Sequence, residues 1–401
     1  MPEYLQGIYR SCHGAYRTWI TTVYWINMNI KYIGPAKDYS GYGEAVRHDI
    51  AALVSAGVEV TTEIPKYTLE ISDFGELGDI AVSRENKPLD YKTIILHTTP
   101  NVYRRYMEPN KYHIGRVFWE TDKLPEEFAI NCRLMQEIWT GSQANADAIK
   151  KAGITCPIFI IPEAIDTSVD IEKIKPYIVE NESFNMGYKF YSMFEWTERK
   201  NPTALLTAYF QEFKPDENVS LTIKTYIDNF TPDKKAQIRE YIGMLKHRLS
   251  LTKLPKFYLL MNLMDRSQVY RFHKTFDCFI SAHRGEGWGI PQMEAMLLNK
   301  PVISTNYGGI HEYLTRYDNA LLVKYDMIPL RGNTRNKEWY CEDQNWADVN
   351  VTELRQFMRA TFENQKEATE MGKRAGILVR DKFNVKTVGE MMKNRLETIY
   401  K

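Results

Sequence analysis

One stretch constrains the fold of this chain more than any other: Phe276 to Leu314, FDCFISAHRGEGWGIPQMEAMLLNKPVISTNYGGIHEYL. Phe276 to Ser281 is a short apolar run of the kind that forms a buried parallel strand. It breaks off at His283-Arg284-Gly285 without a hairpin signal, so a loop must follow. Gly285, Gly287 and Gly289 let the backbone approach a ligand closely, and Pro291 suits the first turn of a helix, where its missing N–H costs nothing. Met293, Met296 and Leu297 recur at helical spacing, Asn299-Lys300-Pro301 supplies a stop, and PVIST reads as the next buried strand. A unit of strand, Gly turn, helix and strand belongs to an α/β domain with a parallel sheet.

Two carboxylates bracket the turn, Glu286 in the loop and Glu294 in the helix, with seven residues between them. A helix N-terminus with free N–H groups favours an anion, so a phosphate bound there has donors facing it. Glu294 is then placed to accept hydrogen bonds from the vicinal hydroxyls of a ribose, while Glu286 reaches past the phosphates toward whatever they carry. That is the outline of a nucleotide-sugar; the plain alternative is a helix-start charge beside a solvated loop acid. The extended form, EGWGIPQMEAMLLNKPVISTNYGGIHEYL, closely resembles the donor-binding signature of family-4 retaining glycosyltransferases, which have the two-domain GT-B fold. The resemblance implies donor contacts from His283, Arg284, Gly287, Trp288 and Gly289 as well as from the two glutamates.

Composition is compatible with that size and class. At 401 residues the chain has room for two α/β domains, and 44% apolar with 26% charged residues describes a globular protein with two cores. A formal net charge of +1 gives no reason to expect nucleic-acid binding, so any anion site must be local. The five cysteines are widely spaced and form no Cys-x-x-Cys pair, which suggests a reducing, cytoplasmic setting and no metal site. No apolar run reaches the length of a membrane span. Residues 1–27 carry four tyrosines and two tryptophans with Arg10 and Arg17, a mixture that suits a membrane surface; packing on the first domain is the alternative.

From Asn29 the pattern is regular. NIKYIGPA reads as a strand, KDYSGYG as a turn, and Glu44 to Ala56 as a helix closed by Gly57. In the family this first Gly turn, with Gly43, lies at the cleft near the donor phosphates and acceptor; a tight turn that simply needs Gly is the alternative. KTIILHTTPN is the next clear strand, ending at His97, and a side chain at the carboxyl end of a parallel strand faces the crevice where such sheets bind ligands. His97 followed by Pro100-Asn101 resembles a family arrangement in which a His approaches the transferred sugar; a structural His is the alternative. Val117 to Asp122, VFWETD, reads as a strand, then come a helix from about Pro125, strand EIWTGS, a helix from Gln143 to Ala152, and a further strand. Glu120 is a candidate cleft carboxylate for acceptor hydroxyls; a solvated loop acid is the alternative. Periodicity fades between Asp170 and Asn185, which reads as a linker. The expected domains are therefore an extension 1–27, an acceptor-side Rossmann-like domain 28–175, a donor-binding Rossmann-like domain 186–380, and a final helix within 381–401 that crosses back to the first domain. FYSMFEWTERKNPTALL restarts the α/β pattern, with Arg199 and Lys200 just ahead of a helix. By resemblance Lys200 pairs with the donor phosphate. An Arg commonly lies six residues before that Lys, where this chain has Phe194, so Arg199 or Arg284 has to supply the second cation. Residues 326–345 read as an irregular polar loop, and Asn350 to Glu353 as a capping box.

The resemblance implies a retaining hexosyltransferase that moves a sugar from a UDP- or GDP-sugar to a hydroxyl of a glycan, lipid-linked or small-molecule acceptor, as in polysaccharide biosynthesis, with Glu286, His97 and Lys200 as its catalytic residues. No Asp-x-Asp pair stands at a strand end, so cationic side chains and a helix N-terminus are expected to serve in place of a metal, with no cofactor. A sugar-nucleotide epimerase or hydrolase of the same fold, or a non-catalytic sugar-nucleotide-binding protein, are the competing classes.

Overall fold

The computed structural model describes residues 28–66, 73–178, 184, 187–331 and 338–400. The proposed membrane-facing segment 1–27 lies outside them, as do 179–183 and 185 of the expected linker and 186 at the start of the expected second domain; Asp170 to Ile178 contains no helix or strand.

Two six-stranded sheets carry the molecule, and every pairing within them is parallel. The first is built from β1 (Asn29–Ile33), β2 (Glu59–Glu63), β3 (Thr93–Leu96), β4 (Tyr112–Arg116), β5 (Glu137–Thr140) and β6 (Ile158–Ile160), in the order β2-β1-β3-β4-β5-β6. The second is built from β7 (Tyr188–Glu195), β8 (Val219–Tyr226), β9 (Lys256–Leu260), β10 (Cys278–Ser281), β11 (Val302–Thr305) and β12 (Leu321–Val323), in the order β12-β11-β10-β7-β8-β9. Strand order reverses between β1 and β3 in one sheet and between β7 and β10 in the other. Ligands of open α/β sheets bind in the crevice outside the strand ends at such switch points. The segments following these four strands hold Gly41 to Glu44, His97, Arg199-Lys200 and the Glu286 loop, so topology alone sends the site there.

Each sheet is apolar on both faces, as parallel strands covered by helices require. In the second domain Phe190, Leu221, Ile223, Ile280 and Ile303 form one core with the helix Pro202–Glu212, through Leu205, Leu206 and Tyr209. The first core joins Ile30, Ile95, Ile114 and Trp139 to Val46, Ile50 and Leu53 of the helix Gly41–Ser55. The last helix, Val385–Tyr400, adds Val388, Met392 and Leu396 to that first core, although its residues follow the second domain in sequence. Gly389 makes the approach possible: a Cβ there would stand 2.1 Å from the carbonyl oxygen of Ala52.

Three local readings change. VFWETD is a loop, and the strand is Tyr112–Arg116, immediately before it. Polar His113 and Arg116 disguise that strand, because each is buried against specific partners: the backbone N–H of Glu108 on His113 Nε2, and Asp49 with two carbonyls on Arg116. Within 326–345, both ends belong to an antiparallel ribbon, Tyr325–Pro329 with Asn345–Val349, whose half-exposed first strand lacks an apolar signal. Asn350 does cap the next helix by accepting from the N–H of Glu353 at 2.9 Å, but the Glu353 carboxylate turns to Arg316 at 2.6 Å instead of closing the box.

Candidate active site

Between the two sheets lies a cavity of about 380 Å³, lined from one side by Tyr39 to Tyr42, Glu44, Phe118, Glu120 and Glu163, and from the other by Arg199, Lys200, Lys224, Arg266, Glu286 to Pro291 and Glu294. Gly289, at φ +97°, is the N-cap of the helix Ile290–Leu297, and no side chain caps that N-terminus. A Cβ at Gly289 would stand 2.6 Å from the Tyr313 hydroxyl, so both its conformation and its space demand glycine. Gly285 serves a different purpose from the ligand approach read in the sequence. A Cβ there would meet the carbonyl oxygen of Glu120 at 2.1 Å, so this glycine admits the 118–120 loop of the first domain.

Glu286 forms an ion pair with Lys200 and stands 4.0 Å from Arg199. Burial works to raise the Glu286 pKa, but Lys200, Arg199 and His283 outweigh it and hold the carboxyl at about 2. Burial pushes Lys200 below the usual lysine range; Glu286 opposes this and neighbouring Arg199 adds to it. Arg199 also faces Glu120 at 3.6 Å and donates to the carbonyl of Gly285 at 2.9 Å. The Tyr340 hydroxyl donates to Glu120 at 3.4 Å. Glu120, Arg199, Glu286 and Lys200 thus form one chain of alternating charge across the cleft.

Glu294 sits at the other end of the cavity. Its Oε1 receives Arg266 at 2.6 Å, and its Oε2 lies 3.2 Å from His273 Nε2, whose other nitrogen meets the Tyr191 hydroxyl at 2.9 Å. Burial raises the Glu294 carboxyl, yet Arg266 and His273 bring it below the ordinary value. Arg266 also reaches Glu44 of the first domain at 3.1 Å, and Glu44 holds Arg47 at 3.1 Å and His48 at 2.9 Å. One guanidinium therefore ties the two domains together directly over the carboxylate expected to hold a ribose.

Other expected site residues are placed elsewhere. His97 is fully buried and does not line the cavity; Tyr42 and Phe118, which do, cover its ring at 5.1 and 5.8 Å. Its Nδ1 donates to Tyr32 at 2.7 Å while Tyr32 donates to Asp49, its Nε2 has no hydrogen-bond partner among the described residues, and burial beside Arg116 keeps the ring neutral. His283 is tied internally, with Ser281 on Nδ1 and the Tyr307 carbonyl on Nε2, both at 2.9 Å, and burial lowers it to about 4. Arg284 turns away from the cavity to Glu198 at 2.9 Å and Asp348 at 3.2 Å, with its guanidinium over Trp346; it is not positioned as the second phosphate cation. Gly43 packs where a Cβ would stand 2.3 Å from the Asp38 carbonyl, the requirement of a tight turn, and Gly41, Tyr42 and Glu44 around it line the cavity. Trp288 and Gly287 do line it.

Sequence reasoning passed over Arg266, Glu44, Glu163 and Lys224. Arg266 carried a signal: a cation in the first turn of a helix opposes the dipole unless a carboxylate answers it. Lys224 carried another, as an ionisable residue inside the interior strand VSLTIKTY. Burying an ammonium costs several kcal/mol, whereas the Tyr226 and Phe230 faces beside it return roughly 1 to 2 kcal/mol each. Glu163 is 3% exposed, and its Oε2 has no hydrogen-bond partner among the described residues; burial pushes its carboxyl well above the usual range, Arg116 offsets this in part, and Asp49 and Glu286 add to it.

Two Rossmann-like sheets facing each other across a charged cavity define the GT-B class. Residues 197–327 match the family model described as glycosyl transferases group 1, so the second domain carries that family's signature, in agreement with the resemblance of the Glu286 stretch. Similar solved structures include HepE of Anabaena in complex with UDP-glucose (TM-score 0.63, 16% identity, covering 92% of this chain and 100% of that one). Sucrose-phosphate synthase from Thermosynechococcus elongatus (0.67, 14%, 93% and 99%) and a glycosyltransferase from Rickettsia africae (0.63, 13%, 94% and 99%) share the architecture. No curated protein sequence matches the chain significantly. Among the described residues no helix is long and apolar enough to cross a membrane.

Proposed function

We propose that the protein is a retaining glycosyltransferase that moves a hexosyl group from a UDP-sugar, with a GDP-sugar as the second choice, to a hydroxyl of a glycan, lipid-linked or small-molecule acceptor. The observation that carries this reading is the convergence of Glu286, Glu294, Lys200, Arg199 and the uncapped N-terminus at Gly289 on one interdomain cavity. The donor diphosphate lies at that N-terminus. Glu294 accepts from the ribose hydroxyls once Arg266 shares it, and Glu286 reaches the sugar. The UDP-glucose bound by the Anabaena neighbour favours UDP over GDP.

In the reaction the bond from the anomeric carbon to the leaving phosphate oxygen breaks, and a bond to the acceptor oxygen forms on the same face. The acceptor proton passes to the departing phosphate oxygen, so no separate protein base is required. Negative charge grows on the diphosphate as it leaves, and Lys200 with the helix N-terminus stabilises that charge, which is the role a metal would otherwise fill. Glu120, held by Arg199 on the first-domain wall, is placed to orient the acceptor. A panel of UDP- and GDP-sugars, each incubated with and without candidate acceptors, tests the reading: nucleotide release and glycosylated product must both require the acceptor, with the anomeric configuration of the donor retained. Conversion of the donor sugar without acceptor would instead identify an epimerase, and hydrolysis a hydrolase.

A further inference from the structure

Five cationic side chains line the cavity, and four of them already have a carboxylate: Arg47 has Glu44, Arg199 has Glu120 and Glu286, Lys200 has Glu286, and Arg266 has Glu44 and Glu294. Lys224 is different. It projects from β8 beside Met193 of β7, is only 6% exposed, and has no carboxylate within ion-pair distance among the described residues. Its ammonium lies 5.2 Å from the centre of each of two rings, Tyr226 and Phe230, and Tyr39 of the first domain closes on both. Burial alone lowers its pKa to about 8, as expected of a desolvated ammonium without a counter-charge. Phe194, at the end of the neighbouring strand, lines the cavity without contributing any charge.

We propose that Lys224 is a docking cation for the diphosphate of the donor nucleotide, the one basic group of the cavity that, among the described residues, no acid already occupies. The assignment rests on the donor reading above. Aromatic faces compensate a buried ammonium only in part, and a neutral nucleobase carbonyl would leave the charge in place, whereas an anion neutralises it. A phosphate competes with the glutamates for the four paired cations, an arginine sharing itself through its spare N–H groups and Lys200 loosening its hold on Glu286. Lys224 meets it at no such cost, so its contribution is made when the donor binds and persists through the reaction. The part of its attraction already present in the bound donor appears in affinity and KM, and only the charge that grows afterwards appears in kcat. Lys200, drawn away from Glu286 as charge develops, has the opposite signature.

Full-length wild type, Lys224→Met and Lys224→Arg are titrated calorimetrically with UDP, GDP and uridine, and their ligand-free unfolding temperatures are compared. Lys224→Met is expected to bind UDP about ten- to hundredfold more weakly, to bind uridine as wild type does, and to unfold at the same or a higher temperature, because a buried unpaired charge is gone. Lys224→Arg, which keeps the charge, is expected to recover most of the UDP affinity. In turnover the donor KM of the Met variant rises, and kcat falls by much less than in Lys200→Ala. Unchanged UDP affinity in a protein whose wild type binds UDP overturns this assignment alone. An equal loss for UDP and uridine overturns it too, by making Lys224 a contact to the base, and so does a lower ligand-free unfolding temperature. A wild type that binds neither UDP nor GDP overturns the donor reading and this assignment with it.

Discussion

The cavity has two charged ends of similar composition and different construction. At the Glu286 end the acid is matched to Lys200, a lysine whose own basicity burial has lowered, and the partners Arg199 and Glu120 stand at 3.6 to 4.0 Å. At the Glu294 end Arg266 holds two carboxylates at 2.6 and 3.1 Å, one from each domain. Arginine stays charged under any burial and bonds in a fixed fork, whereas lysine is a single point charge whose state burial can shift. The first end is therefore suited to exchange partners as charge moves, and the second to hold two bodies in register.

If the Arg266 end is a latch, breaking it should have the largest effect. Arg266→Met leaves Glu44 and Glu294 facing each other without the guanidinium, and denaturant unfolding should show a loss of about 3 kcal/mol, the lower end of the range for broken buried pairs because Arg266 keeps some exposure. A loss under about 1 kcal/mol would reduce the bridge to a solvated surface contact. The Lys200 end predicts a kinetic effect instead. Lys200→Ala should lower kcat by about 10² to 10³ with a smaller change in donor KM, and near-normal turnover would remove Lys200 from the phosphate site. Glu294→Ala should weaken UDP about ten- to hundredfold through the lost charged hydrogen bond; equal affinity measured by calorimetry would mean that Glu294 serves Arg266 alone. The last effect, spread over more than two pH units, is titration of Glu286. Its folded pKa of about 2 lies below the ordinary 4.5, so the stability from its ion pairs is fully present above pH 4.5 and lost as pH falls toward 2. One proton contributes at most about 1.4 kcal/mol per pH unit, and Glu286→Gln should flatten that part of the acid unfolding curve.

How much of this was legible depended on sequence distance. Glu286, Gly289 and Glu294 lie within nine residues, so the strand–turn–helix pattern placed them together before any tertiary contact was known. Lys200 was found from its position ahead of a helix at Pro202. The β4 strand was misplaced because His113 and Arg116 are buried by partners up to 67 positions away, and no local pattern reports such partners. His97 was correctly located at a strand end, but which side chains would stand between it and the cavity was decided by Tyr42 and Phe118 from two other segments.

By itself, then, the sequence determined the two α/β units, the Gly-rich turn and the spacing of its two acids, because backbone periodicity, glycine conformation and helix capping act within a few residues. Tertiary structure alone decided that Gly285 admits Glu120, that Arg284 leaves the cleft for Asp348, that Arg266 reaches Glu44, and that Lys224 has no acid beside it among the described residues. The reason is that charge pairing and desolvation depend on distance in space. Residues hundreds of positions apart meet only when both sheets are formed and face each other.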